Sequence, residues 1–141
     1  MCLYINEKLT KKKLKSKKEV HTFYKRLVIH NNVLMTPYQN FKIHKSGTQT
    51  IPQNEELVIT SYSDGIRSLF GGAFHLYTHK TKAYYDEVVI PVQVKKEDII
   101  YFGSDYFDEN DQVTVHAYTI SKRTWNKIFK KEEWYVIWIV F

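Results

Sequence analysis

The stretch Val113-Thr114-Val115-His116-Ala117-Tyr118-Thr119-Ile120 decides the fold class, because its side chains sort onto two faces at a period of two. Successive side chains of a strand point to opposite faces. Val113, Val115 and Ala117 therefore share one face, and Thr114, His116, Tyr118 and Ile120 share the other. Ser121 follows and can cap a helix reaching about Lys131, with Trp125, Ile128 and Phe129 at helical spacing on one side. On the other flank, Asp98 to Gly103 reads as a strand ending on a turn glycine. Strands joined directly to a helix, with no alternation of the two, predict an α+β domain.

Further strands are predicted outward from this centre. Leu3 to Ile5, His21 to Ile29, Val33 to Met35, Phe41 to His44 and Ala73 to Tyr77 are rich in aromatic and branched residues. Asn31-Asn32 is a turn signal between two of them. Glu56 to Tyr62 is ambiguous, with Leu57, Val58 and Ile59 favouring a strand. Pro91 inside Val88 to Val94 predicts an edge or bulged strand. Thr78 can cap a short helix through Lys82, Ala83 and Tyr84. Trp134 to Phe141 is apolar on both faces, which predicts a central strand or one whose outer face meets a partner.

Composition agrees. The 141 residues include eleven Tyr, eight Phe and three Trp, a bias toward pleated, half-buried surfaces. Five Gly and three Pro are few for an all-β sandwich with its many tight turns. The expectation is one α+β domain over 1–141: a twisted, mostly antiparallel sheet of five to seven strands with one or two packed helices. Within it, residues 8–19 read as a basic segment with scope for mobility. A single cysteine, Cys2, excludes an internal disulfide and a cysteine-based zinc site. The longest apolar stretch, Trp134 to Phe141, falls far short of the roughly 20 residues of a membrane helix. A soluble protein of the host cytoplasm, without membrane association, is expected.

Charge is distributed unevenly. Residues 1–45 hold eleven Lys and Arg against two Glu, a net of +9, so the overall +6 leaves −3 for the remaining 96 residues. The densest run is Lys11-Lys12-Lys13-Leu14-Lys15-Ser16-Lys17-Lys18, a solvated segment or a short helix once a partner neutralises it. Such a front end suits a partner with dense negative charge. Lys11, Lys12, Lys13, Lys15, Lys17, Lys18, Lys25 and Arg26 are candidate phosphate or partner contacts, with Tyr24 and Phe23 as stacking groups. Asp105, Asp108, Glu109 and Asp111 form a candidate acidic partner surface. That loop lacks the glycine and closing Glu of an EF-hand, and no metal or cofactor is expected.

Histidine is the obvious catalytic currency. His75 and His79 on one strand lie about 13 Å apart, too far for a shared metal. His116 with Tyr118 on one face can join His75 in an RNase-like or ADP-ribosyltransferase-like pocket. A buried, hydrogen-bonded role for these histidines is the commoner outcome, so no catalytic residue is assigned.

The chain carries, in this order, Met1-Cys2-Leu3-Tyr4, Tyr24-Lys25, Thr36-Pro37-Tyr38, Gly72-Ala73-Phe74-His75 followed by Ala83, Val89-Ile90-Pro91 and Tyr101-Phe102-Gly103. In these elements the chain resembles short uncharacterised proteins of bacteriophages and integrated elements. The resemblance carries no activity with it. It implies a mobile-element setting, where small basic proteins act on host machinery, including as inhibitors of CRISPR and other immune nucleases. The resulting expectation is a non-enzymatic binding protein that occupies a host protein or ribonucleoprotein complex, such as a CRISPR effector. A stand-alone RNA-binding module is the alternative, and a His-dependent enzyme ranks third. A homodimer through the C-terminal aromatic strand is a further expectation.

Overall fold

The computed structural model describes residues 3–37, 39–52, 55–104 and 111–129. In chain order it begins with strand β1 (Leu3–Ile5), helix α1 (Glu7–Leu14), the long strand β2 (Val20–His30), β3 (Val33–Met35) and β4 (Lys42–Ile43). Next come β5 (Gly47–Thr50), β6 (Val58–Ser61), β7 (Arg67–Phe70), β8 (Phe74–Tyr77) and β9 (Glu87–Lys95). One 3-10 turn, Lys96–Asp98, leads into β10 (Ile99–Ser104), followed by β11 (Gln112–Val115) and β12 (Ala117–Ile120). A second helix, α2, is described over residues 122–129.

The α+β class holds, but among the described residues the expected five to seven strands become twelve in one antiparallel sheet. Two strands lie where none is expected, β5 and β7, each of four residues and too short to carry a readable alternation, and the strand expected over 113–120 divides into β11 and β12. The main path runs β5-β12-β9-β2-β8-β11-β10-β1-β7-β6, with β3 and β4 branching from β2.

The decisive stretch does not form one strand. It breaks at His116, which is exposed and donates its backbone N–H to the Asp98 carbonyl at 2.8 Å. Before the break, β11 pairs with β8 and β10; after it, β12 pairs with β9 and β5. The circuit β12–β9–β2–β8–β11 therefore closes on itself through the chain at His116. Phe23 and Leu27 of β2, Val92 of β9, Phe74 of β8, Val113 of β11 and Tyr118 of β12 join one buried cluster, which Ile128 of α2 also enters. Each such side chain contributes about 1.5–3 kcal/mol by leaving water. Phe74 meets Tyr118 edge-on at a centroid distance of 4.8 Å.

β2 is the spine of this core. It pairs with β9 from Val20↔Lys95 to Val28↔Glu87, so the ladder runs straight across Pro91. β9 is thus an interior strand rather than the predicted edge, its other side meeting β12 at Thr119↔Gln93. Pro91 itself is exposed. At its far end β2 turns into β3 through Asn31 and Asn32, with φ of 51° and 62°. Two successive left-handed residues match the twist of a tight hairpin, and Asn tolerates that conformation better than most.

The helix expected from Thr78 is absent, and residues 78–86 form turns and irregular backbone. Thr78 does not cap. Its N–H and its hydroxyl both donate to the Asp111 carbonyl, at 2.8 and 3.1 Å, which ties it to the sheet.

Candidate functional site

Two features of the described structure can recognise a ligand: a cleft built around a buried lysine, and a lysine-covered helix.

The cleft forms where the ladder between β2 and β8 opens. Those strands share the pair Tyr24↔Tyr77, and further along β2 turns to β3 instead. The β8 edge that faces the opening must still satisfy its carbonyls, since buried backbone groups need partners. Side chains do this. Lys25 donates its amine to the His75 carbonyl at 3.0 Å, and Gln39 donates its amide to the Ala73 carbonyl at 3.1 Å. Between them lies a cavity of about 300 Å³ lined by Lys25, Pro37, Gln39, Phe41, Glu55, Phe70, Gly71 and His75.

Lys25 sits here because β2 alternates. It shares a face with Phe23 and Leu27, and it is only 3% exposed. Burial, with the Arg26 charge beside it, lowers the Lys25 amine to about 7. His75 is also buried; desolvation first and the Lys25 charge second lower its imidazole to about 4, so it is neutral at physiological pH. The His75 Nδ1 is buried without a hydrogen-bond partner among the described residues. Burying an unpaired polar atom costs roughly 1–3 kcal/mol, so such an atom beside a cavity marks a place where a ligand gains.

Arg26, next in sequence, belongs elsewhere. It points to the other face, 3.7 Å from Glu87, and hydrogen-bonds the Thr81 hydroxyl and the Lys82 carbonyl. Its guanidinium lies over the rings of Tyr77 and Tyr84 at 5.2 and 5.8 Å. Among the described residues the Arg26 Nε has no hydrogen-bond partner, so its tie to Glu87 is a charge contact. Arg26 therefore clamps the 78–86 connection onto β2.

The lysine helix is fixed by a cap at its N-terminus and by one docking contact in its middle. Asn6 caps α1 by accepting from the Leu9 N–H at 3.0 Å, and Glu7 complements the helix dipole. Thr10 is buried; its hydroxyl donates to the Asn6 carbonyl and accepts from the Phe102 N–H at 2.9 Å, docking α1 on β10. With that side fixed, Lys8, Lys11, Lys12 and Lys15 follow an i, i+3, i+4, i+7 spacing and line the outward face. Lys13, Lys17 and Lys18 are exposed as well. Among the described residues none of these lysines forms an ion pair; the two pairs are Arg26–Glu87 and Arg67–Glu7.

The structure thus brings Lys11, Lys12, Lys13, Lys15, Lys17 and Lys18 onto one helix and the turn after it, and separates them from Lys25 and Arg26. Tyr24 is half-buried and Phe23 is buried, stacked on His21 at 5.8 Å, so neither offers an open ring. Open rings do occur at Tyr84 and Tyr85, 65% and 106% exposed, beside exposed Lys80 and Lys82. His116 is exposed while Tyr118 is buried, and His75 faces the cleft, so the expected shared pocket does not form. His79 is exposed beyond the end of β8. Asp111 is half-buried with its carbonyl bound by Thr78; Asp105, Asp108, Glu109 and the stretch 134–141, expected as a strand, lie outside the described residues. No group of three His, Cys, Asp or Glu among the described residues could hold a metal, and no described helix is long and apolar enough to cross a membrane.

Sequence reading missed the cleft. Gln39 and Phe41 come from the β3–β4 connection, Glu55 from the β5–β6 connection and Phe70 from the end of β7, and they carry no common motif. The available signal was parity: in Phe23-x-Lys25-x-Leu27 the lysine shares the apolar face. No family model, curated protein or solved structure matches the chain.

Proposed function

We propose that the protein is a nucleic-acid-binding module that acts by occupancy, with the outward face of α1 as its phosphate contact. The supporting observation is the set Lys8, Lys11, Lys12 and Lys15, exposed on a helix docked by Thr10 and unpaired among the described residues. Like charges at i, i+4 repel by a few tenths of a kcal/mol per pair, a cost that a polyanion removes. Lysines that displace counterions from phosphates give affinity without reading sequence. Tyr84 and Tyr85 beside Lys80 and Lys82 add an exposed aromatic and basic surface of the kind on which unpaired bases stack. RNA is the ligand this favours, in keeping with a mobile-element protein that acts on host nucleic-acid machinery.

The test is anisotropy of a labelled oligouridine against the full chain over a salt series. Affinity should fall linearly in log–log form, with a slope of about −0.7 for each phosphate contact. Absence of binding at low salt, or binding indifferent to salt, overturns the reading. A parallel capture from host lysate, with and without nuclease, separates the two occupancy targets. A discrete protein partner that survives nuclease, with no RNA recovered, replaces RNA by a host protein complex.

A further inference from the structure

The cleft over Lys25 has features that α1 does not explain. A buried ammonium ordinarily has a carboxylate beside it. Lys25 has none among the described residues: its amine makes one hydrogen bond, to the His75 carbonyl, and has capacity for two more. The neighbouring His75 Nδ1 also lacks a partner among these residues. Lys25 and His75 both line a cavity of about 300 Å³, at the lower end of the range for small-molecule sites. The remaining walls include Pro37, Phe41 and Phe70.

We propose that this cleft binds a small organic monocarboxylate with an apolar body. One carboxylate oxygen accepts from the Lys25 amine, and the other accepts from His75 when its Nδ1 carries the proton. The apolar body lies against Phe41, Phe70 and Pro37. The charges around the site leave room for no more than a single negative charge on the ligand, held at the Lys25 amine. Lys25 is the one cation in the lining, His75 is neutral, Glu55 adds an acid, and Arg26 is turned away toward Glu87. A phosphate dianion would meet Glu55 with a charge left over, so it is disfavoured.

A bound carboxylate stabilises the protonated amine, so binding at alkaline pH must take up a proton. The experiment is calorimetric and NMR titration of the full-length chain with benzoate, phenylacetate and, as the neutral control, benzyl alcohol. Saturable binding of a carboxylate is expected at about pH 6, weakening at least tenfold by about pH 9, with benzyl alcohol much weaker at both. Lys25→Met should abolish carboxylate binding. A measurement on the unaltered protein serves even if that variant does not fold: the Lys25 side-chain resonance should titrate near 7 alone and clearly higher with saturating carboxylate. Failure of both carboxylates to bind at about 10 mM, binding that leaves the Lys25 midpoint in place, or equal binding to Lys25→Met would overturn the proposal. None of these outcomes depends on nucleic-acid binding by α1.

Discussion

The Lys25 amine reaches the backbone carbonyl of His75 at 3.0 Å, joining two strands fifty positions apart in sequence at the point where their ladder ends. The bond supplies β8 with a donor that no neighbouring strand provides. It also holds a cation where burial disfavours charge. The two effects separate by pH.

Lys25 titrates near 7 in the fold and near 10.5 in the unfolded chain, so between those values the unfolded state binds more protons. The Lys25 contribution is therefore fully present above about 10.5, falls as pH is lowered, and is lost below about 7. Urea midpoints of the native protein should rise from neutral to alkaline pH more than those of Lys25→Met. An equal rise in both proteins would show that the buried amine does not titrate in this range.

His75 gives the matching prediction at acid pH. Its imidazole falls from 6.5 to about 4 on folding, chiefly by burial, so its neutral form stabilises the fold above 6.5. That contribution, about 3 kcal/mol at most, is lost as pH drops from 6.5 through 4. His75→Gln, which keeps a polar side chain but does not titrate, should flatten the stability profile over this interval. An unchanged profile would assign the acid sensitivity to other groups.

Much of this architecture was legible in the sequence. The aromatic and branched residues of His21 to Ile29 located β2, Asn31-Asn32 located its hairpin, and the helical spacing of Trp125, Ile128 and Phe129 located α2. The break at His116 was not legible, because the two-residue period continues through it while the backbone changes partners. Strand alternation reports facing, not neighbours. The helix expected at Thr78 failed for a tertiary reason, the bonds to Asp111, that local propensity cannot contain. Of the candidate site, the α1 lysines were visible as a run. The cleft was not, because its walls converge only through the opening between β2 and β8.

Gly103 is a packing requirement. It lies opposite Ile5 in the β1–β10 pair, and a Cβ there would overlap the backbone carbonyl of Tyr4 and crowd Leu3. The neighbour is backbone, so relief means separating β1 from β10. Gly103→Ala should destabilise by about 2 kcal/mol or more in urea unfolding, in the range of overpacked cores. A loss under about 0.5 kcal/mol would mean that β1 shifts freely on its neighbour.

The α1 face yields a prediction that separates binding from folding. Changing Lys8, Lys11, Lys12 and Lys15 to Gln removes four charges, taking the net charge from +6 to +2. All four side chains are exposed, and the docking bond belongs to Thr10, which is untouched. The i, i+4 repulsions between Lys8 and Lys12 and between Lys11 and Lys15 also disappear, so stability should hold or rise by a few tenths of a kcal/mol. Oligouridine affinity should fall and the salt slope should shrink by up to about 3, at about 0.7 per lost phosphate contact. Changing Lys122, Arg123 and Lys127 of α2 to Gln removes a similar charge from a different helix. If both variants weaken binding alike, the attraction is one of net charge. A loss confined to the α1 variant makes that helix the contact surface.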